Sequence, residues 1–199
     1  DTDWSSALAG VDCVVHCAAC IRVINDTKTD TLAAYRPVNV AGTRQLAEQA
    51  AKIGLHRLVY LSSIKVLGET TTSQSPFTES SMVSPVGAYA CSKLQAEDVL
   101  RDISAETGME LVIIRPPLVY GPGVKANFRS IIKLSETYFP LPFSSVCNKR
   151  SMIYLSNLVD FIIRCIHHPV AANQTFLVSD GQDVSLKELI TELRSAMGR

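Results

Sequence analysis

What this sequence lacks narrows the field first. No apolar run approaches the roughly eighteen residues of a membrane span, and the opening residues, Asp1-Thr2-Asp3-Trp4, are acidic where a secretory leader would be basic. An excess of either charge is missing too, since Lys plus Arg and Asp plus Glu number 19 each. There is no basic stripe and no arginine cluster interleaved with aromatics, so neither nucleic acid nor a membrane is an expected partner. Internal repeats, low-complexity tracts and heptad runs are absent as well. A soluble, cytoplasmic protein is the expectation.

Apolar residues make up 47 % of the 199 positions, enough for one ordinary domain with a core, or one domain and a small appendage. The 6 cysteines do not read as a disulfide framework. Cys13, Cys17 and Cys20 crowd one apolar segment, Cys91 and Cys165 lie in helical patterns, and Cys147 falls in a loop. Reduced, mostly buried thiols are expected. A zinc site built from Cys13, His16, Cys17 and Cys20 is the sharper alternative. Against it, an extended strand would splay those side chains onto opposite faces, and no second Cys or His cluster has ligand spacing.

The chain reads as an alternation. Val11 to His16 is a β-branched run suited to a strand buried on both faces, and it leads into the small residues Cys17-Ala18-Ala19-Cys20. Helical periodicity follows from Asn39 to Ile53, with Gly54 as the stop. A second strand, Arg57 to Ser62, leads into a Ser/Thr/Pro-rich loop over 63–85, and long loops of this kind are often functional. A helix from Tyr89 to about Thr107 stops at Gly108. The third strand, Leu111 to Arg115, ends at Pro116-Pro117, which cannot continue a ladder. Strand-helix-strand-helix-strand predicts an α/β fold with a parallel sheet. Farther on, a helix from about Ala126 to Glu136 precedes an irregular stretch with Pro140 and Pro142. A strand over 151–154, a helix over 156–167 and a strand over 174–178 follow. Ser185-Leu186-Lys187-Glu188 is a capping box that opens a last helix.

Within this frame Tyr89 and Lys93 stand four positions apart at a helix start. One helical turn puts both on one face. A phenol with an ordinary pKa of about 10 is a poor base at neutral pH, and an ammonium within ~4–6 Å would favour its ionised form. Taken alone the spacing is common on solvated helices, and the motifs around it supply the context.

His16-Cys17-Ala18-Ala19, Asn39-Val40-Ala41-Gly42-Thr43, Ser62-Ser63-Ile64-Lys65-Val66-Leu67-Gly68, Tyr89 to Lys93 and Arg115-Pro116-Pro117-Leu118-Val119-Tyr120-Gly121-Pro122-Gly123 occur in that order. As an ordered series they resemble the extended short-chain dehydrogenase/reductase family, in its NAD-dependent nucleotide-sugar epimerase/dehydratase group, over essentially the whole chain. The resemblance implies a partial NAD-binding Rossmann fold holding the strands from the fourth onward. Residues 1–122 would be the C-terminal portion of that domain, and 123–199 a small α/β substrate-binding part interleaved with a late Rossmann strand. It implies Ser63, Tyr89 and Lys93 as catalytic residues: Tyr89 exchanges a proton with a sugar hydroxyl, Ser63 hydrogen-bonds the same oxygen, and Lys93 lowers the tyrosine pKa and holds the nicotinamide ribose. His16, Ala18, Ala19, Asn39, Ser62, Pro116 and Val119 fall at cofactor-binding positions, alongside Tyr89 and Lys93. Ser63, Asn39 and Arg150 fall at substrate positions, Arg150 facing the diphosphate. Arg150 also reads as a surface arginine before an edge strand. NAD is the implied cofactor, with NADP not excluded, and a homodimer through helices 39–53 and 89–107 is the implied assembly.

Departures from the family pattern matter as well. The Gly-x-x-Gly-x-x-Gly loop that cradles the pyrophosphate is nowhere in the sequence. The chain thus looks like a fragment that opens just before the fourth strand. Leu67 stands where Tyr is usual, and Tyr154 and Asn157 where His and Asp are common. The implied activity is 4-epimerisation of a UDP-hexose or UDP-N-acetylhexosamine through transient oxidation at C4, and the C-terminal part is most similar to enzymes of bacterial surface-polysaccharide pathways. A UDP-4-ketosugar reductase using NADPH or NADH is the alternative. A 4,6-dehydratase fits less well, because Ile64 and Lys65 occupy the positions of that class's Asp-Glu pair. The competing reading from a different class is an inactive fragment without the glycine loop.

Overall fold

The computed structural model describes residues 2–21, 31–72, 74–124, 126–137 and 148–198. The chain divides into two compact units, Asp1–Pro116 with Phe161–Leu177, and Pro117–Asp160 with Val178–Arg199. The division after Pro116 lies six residues before the expected 122/123 boundary, and the second excursion of the first unit carries the late sheet strand.

In the first unit a short α1 (Ser5–Leu8) precedes β1 (Cys13–His16). A continuous helical path follows: α2 (Thr31–Arg36), a π-helical stretch Pro37–Gly42, and α3 (Thr43–Lys52). The sequence predicts a helix only from Asn39, whereas the helical path begins at Thr31 and passes through Pro37. Proline has no N–H to donate to an α-helical ladder, and the wider π turn absorbs it without ending the helix. That same turn carries Asn39, which is 1 % exposed. Next come β2 (Arg57–Leu61), a 3-10 turn Ile64–Val66, α4 (Ala88–Thr107) and β3 (Glu110–Arg115). Gly108 stops α4 at φ 77°, where its N–H reaches Ser104 O at 2.9 Å. Only glycine takes that conformation without cost.

The strand order is β1-β2-β3-β7, all parallel, with β7 (Thr175–Leu177) as the late strand. Parallel strands of this kind are covered on both faces, which explains their unbroken apolar runs. Leu58, Tyr60, Leu111 and Ile113 form one core cluster with Leu46, Ala47 and Ala50 of α3 and Ala96, Val99, Leu100 and Ile103 of α4. Their strand neighbours Val59, Val112 and Ile114, which alternate to the other face, are also fully buried.

In the second unit β4 (Leu118–Tyr120) pairs in parallel with β6 (Met152–Tyr154), and β5 (Lys149–Arg150) pairs antiparallel with β8 (Val184–Ser185). Pro116-Pro117 ends β3 as expected, yet the chain becomes extended again at once in β4, which joins a different sheet. Gly121 follows with φ 151°, and a Cβ there would lie 3.0 Å from the Leu155 Cβ. α5 (Ala126–Ser135) packs against α7 (Leu186–Ala196), and Ser185 and Glu188 close the anticipated capping box. α6 (Leu155–His167) runs across the division between the units. Pro140, Pro142 and Cys147 lie outside the described residues. Among the described residues no helix is long and apolar enough to cross a membrane, and no group of three His, Cys, Asp or Glu side chains could hold a metal.

Arg57 ties the sheet to the end of α6. Its Nη1 donates to the carbonyls of Cys165, Ile166 and His168 at 2.7, 2.9 and 3.0 Å, while Nε and Nη2 reach Glu110 at 2.7 and 2.6 Å. Helix carbonyls without partners otherwise need water or a cation. Replacing Arg57 with Ala is expected to cost about 3 kcal/mol. Urea unfolding reads this as a lower midpoint at unchanged slope.

Candidate active site

The carboxyl ends of β1, β2 and β3 and the first turns of α4 carry most of the residues singled out by sequence. Ligands of open parallel sheets bind at such strand ends. β1 ends at His16, and the irregular segment after it holds exposed Ala18 and half-buried Ala19. β2 ends at Leu61, followed by Ser62 and Ser63, and β3 ends at Arg115, followed by buried Pro116. Backbone bonds hold these ends in step: Ser62 N–H donates to Ile114 O at 2.8 Å and Ile64 N–H to Pro116 O at 3.0 Å.

Ser63 is extended, at φ −156° and ψ 146°, and its Oγ accepts a bond from Lys65 N–H. That leaves the hydroxyl proton available to donate. Tyr89 lies in the first turn of α4, half-buried, with its ring edge-on to Tyr35 at 6.1 Å between centroids. Lys93, one turn on, is 1 % exposed. Its Nζ donates to Leu61 O at 2.6 Å and lies 4.2 Å from the centroid of the Tyr60 ring, a cation–π contact. An ammonium has three protons to donate, and the Leu61 carbonyl is its one hydrogen-bond acceptor among the described residues.

Burial governs the titration of these groups. It pushes Lys93 down to about 8, while Glu97 and Cys17 pull it back up. It pushes the Tyr89 phenol up, with Tyr35 adding to the rise. The spacing of Tyr89 and Lys93 leads one to expect the opposite for the phenol. In the structure desolvation dominates, and Lys93 spends its short contact on a carbonyl. His16 Nε2 lies 2.8 Å from Thr43 Oγ1. Burial and the Lys93 charge lower its pKa to about 4, so the imidazole is neutral at neutral pH.

Asn39 is fully engaged within the protein. Its Oδ1 accepts from Cys20 N–H at 2.7 Å, and its Nδ2 donates to Cys20 O at 3.0 Å and to Ser92 Oγ at 2.9 Å. Ser92 Oγ in turn donates to Tyr89 O at 2.8 Å. The side chain proposed for ligands thus latches the segment after β1 to the turn of α4 between Tyr89 and Lys93. Ser62 is likewise engaged internally, donating from Oγ to the fully buried Glu97 carboxylate. Val119 and Arg150 belong to the second unit, Val119 opposite Ile153 in the β4–β6 pair and Arg150 exposed on β5.

Sequence reading passed over Glu97, Ser92 and Thr43. The signal for Glu97 was a carboxylate four positions after Lys93, on the face where Ala90, Ala96 and Leu100 are buried.

The description "NAD dependent epimerase/dehydratase family" matches residues 1–179. The chain belongs to that family. A UDP-glucose 4-epimerase of Vibrio cholerae is 48 % identical over 199 residues, covering 100 % of this chain and 61 % of the relative. An N-acetyl-alpha-D-glucosaminyl-diphospho-ditrans,octacis-undecaprenol 4-epimerase of Escherichia coli O157:H7 is 31 % identical over 195 residues, covering 97 % of this chain and 57 % of the relative. This chain therefore spans about three-fifths of the length of these curated relatives. The crystal structure of a UDP-glucuronic acid 4-epimerase from Bacillus cereus in complex with NAD aligns at a TM-score of 0.85 and 23 % identity, covering 100 % of this chain and 64 % of that one. At that identity the likeness is one of fold.

The residues present fit one end of the dinucleotide that the family is named for. The two protons of the buried Lys93 ammonium not directed at Leu61 suit a ribose diol, and the small Ala18 and Ala19 leave the strand end open to a close approach. The phosphate cradle has no counterpart in these residues, because the sequence contains no Gly-x-x-Gly-x-x-Gly.

His16 provides a pH test of this site. An unfolded histidine binds its proton near pH 6.5, whereas folded His16 does so near 4. Between those values the unfolded chain holds the extra proton, so acidification through the window lowers stability, by about 2 kcal/mol once partial exposure is allowed for. In His16→Asn this component of the decline is expected to vanish, as read by urea unfolding at pH 7, 5.5 and 4.5.

Proposed function

We propose that the complete gene product containing this sequence is an NAD-dependent 4-epimerase of a UDP-hexose or UDP-N-acetylhexosamine. The observation that carries the reading is the 48 % identity to a UDP-glucose 4-epimerase along the entire chain; it is supported by Ser63 following β2 and by Lys93, one turn after Tyr89 on α4, bonding Leu61 O at the end of β2. In this reading Tyr89 Oη takes the proton of the sugar 4-hydroxyl and later returns one. Ser63 Oγ donates a hydrogen bond to the same oxygen as it gains carbonyl character. Lys93 binds the ribose diol of the nucleotide and contributes its positive charge beside the phenol. NAD, when bound, supplies the hydride acceptor and donor. Because the 4-keto sugar is planar at C4, a turn within the pocket exposes its other face, and that turn determines the product.

Arg150 is the candidate for the UDP diphosphate, since an exposed guanidinium on a short strand can bind phosphate oxygens in a bidentate manner. The turn after Ser63 contains Ile64 and exposed Lys65 and no carboxylate, which supports epimerisation over 4,6-dehydration. The expected homodimer through helices 39–53 and 89–107 remains part of the proposal, with sedimentation as its measure.

Incubation of the complete gene product with UDP-glucose or UDP-N-acetylglucosamine, followed by chromatography, is expected to yield the C4 epimer. Consumption of NADH or NADPH with a UDP-4-keto sugar, and no epimer from either substrate, would replace the reading with the reductase. Tyr89→Phe is expected to lower turnover by at least about a hundredfold while NAD affinity by calorimetry stays within about twofold. Activity within about tenfold of wild type would remove Tyr89 from the chemistry. Arg150→Ala is expected to raise KM for the UDP-sugar by about tenfold or more with little change in kcat.

A further inference from the structure

Tyr89, Lys93 and Glu97 recur at four-residue intervals on α4, and the last of the three has no part in the reaction as assigned. Glu97 is 0 % exposed. A carboxylate so enclosed is costly unless every lone pair is answered, and here each oxygen accepts two bonds. Oε1 takes Ser62 Oγ–H and Arg115 Nε–H, the latter at 3.0 Å. Oε2 takes Arg115 Nη2 at 2.6 Å and Arg101 Nη1 at 3.1 Å. Two of the partners lie at strand ends that form the site, Ser62 after β2 and Arg115 at the end of β3.

We propose that Glu97 is a positioning residue for the proton chemistry of Tyr89, Lys93 and Ser63, holding the lysine side chain in its charged state and the Ser62–Ser63 segment in place. The inference rests on the functional reading above. Its first half follows from the charges. Lys93 and Arg115 are 1 % and 4 % exposed, and Glu97 is the buried carboxylate between them in sequence and in contact with Arg115. Without it the buried ammonium loses the carboxylate one helical turn on that favours its charged form, and, unlike a guanidinium, it can relieve this by losing its proton. Its second half follows from the hydrogen bonds. Leu61 is held by Lys93, Ser62 by Glu97 and Ile64 by Pro116 O, so Ser63 sits on a segment gripped on both sides by α4 and β3.

Other titratable groups face this pair. Around Lys93 they are His16 on β1, Cys17 after β1 and Tyr60 on β2. Around Glu97 they are Asp98 and Arg101 on α4, Tyr60 on β2 and Arg115 on β3. Burial alone would raise the Glu97 pKa, yet the bonds from Arg115 and Ser62, with the charges of Arg115 and Arg101, bring it below the ordinary value. Glu97 is therefore ionised wherever Lys93 is studied near neutrality.

The experiment is a pH titration of the chain by NMR with carbon-13-labelled lysine, comparing wild type with Glu97→Gln. The isosteric amide keeps the shape and removes the charge. The Lys93 midpoint, about 8 in the wild type, is expected to fall by at least about one unit, a tenfold change in its protonation equilibrium. An unchanged midpoint in a folded variant overturns the inference. A purely structural Glu97 would alter unfolding without moving that midpoint. If Glu97→Gln does not fold, Glu97→Asp and Ser62→Ala decide in the complete gene product. Ser62→Ala, which leaves the Glu97–Arg115 pair intact, is expected to lower kcat about tenfold at nearly constant KM, with Glu97→Asp shifting the alkaline limb of the rate profile downward. Wild-type rates and an unmoved profile in both overturn it. A wild-type gene product that epimerises neither sugar, together with the lysine shift in Glu97→Gln, overturns the functional reading and leaves the hold of Glu97 on Lys93 supported.

Discussion

A single enclosed carboxylate ties helix and strands of the first unit together at the candidate site. Glu97 is reached from β2 through Ser62, from β3 through Arg115, and from its own helix through Arg101. The strand ends and α4 therefore meet through charged hydrogen bonds, which are directional, as well as through apolar packing, which is not. The core cluster of Leu58, Tyr60, Leu100 and Ile113 brings α4 onto the sheet. The Glu97 bonds then set its height along the strands to within the tolerance of a hydrogen bond. Sliding α4 by even one residue would leave a buried carboxylate and a buried guanidinium unpaired, at a cost of several kcal/mol.

The same device recurs one turn earlier with neutral groups. Asn39 bonds both backbone atoms of Cys20 and the hydroxyl of Ser92, and Ser92 bonds Tyr89 O. The segment after β1, the π turn and the first turn of α4 thus share one amide. Along α4 the order is Tyr89, Ser92, Lys93 and Glu97, so Lys93 falls between the two clamps and Tyr89 carries the carbonyl that the first one holds. A π turn costs helix regularity. Here it accommodates Pro37 and delivers Asn39 inward, so a single irregularity serves both the local chain and the site.

Much of the frame could be read from residues. The apolar runs read at 11–16, 57–62 and 111–115, the glycine stop at Gly108 and the Ser185–Glu188 box announce elements that the structure contains. Family motifs added Ser63 after the second strand to Tyr89 and Lys93 at the helix start. What escaped reading shares a physical cause. Pro37 signals a helix break to any rule based on an α ladder, and only the π geometry removes the conflict. Pro116-Pro117 signals the end of a strand, which is true of β3 and silent about β4. Asn39 and Ser62, expected at ligand positions, also bond partners 19 and 35 positions away within the protein, contacts that local spacing does not show. Glu97 resembles any helix-surface glutamate until Arg115, 18 positions on, is placed beside it.

The phenol and the ammonium of the site are both moved by one cause, and the direction matters for how such a site can work. Desolvation opposes charge on either group, so it lowers Lys93 and raises Tyr89. At neutral pH the resting groups are a Lys93 ammonium and a neutral Tyr89 phenol. Helical spacing alone therefore does not make a base of Tyr89, because the ammonium's shortest bond goes to Leu61 O. The remaining two protons of Lys93 are the resource that ligand binding can engage. Under the proposed function a nucleotide diol would accept from Lys93, and a sugar hydroxyl placed against Tyr89 Oη and Ser63 Oγ would supply the proton to be exchanged. Under that proposed function basicity is created on binding, with Glu97 in the inferred role of keeping the required charge in place beforehand.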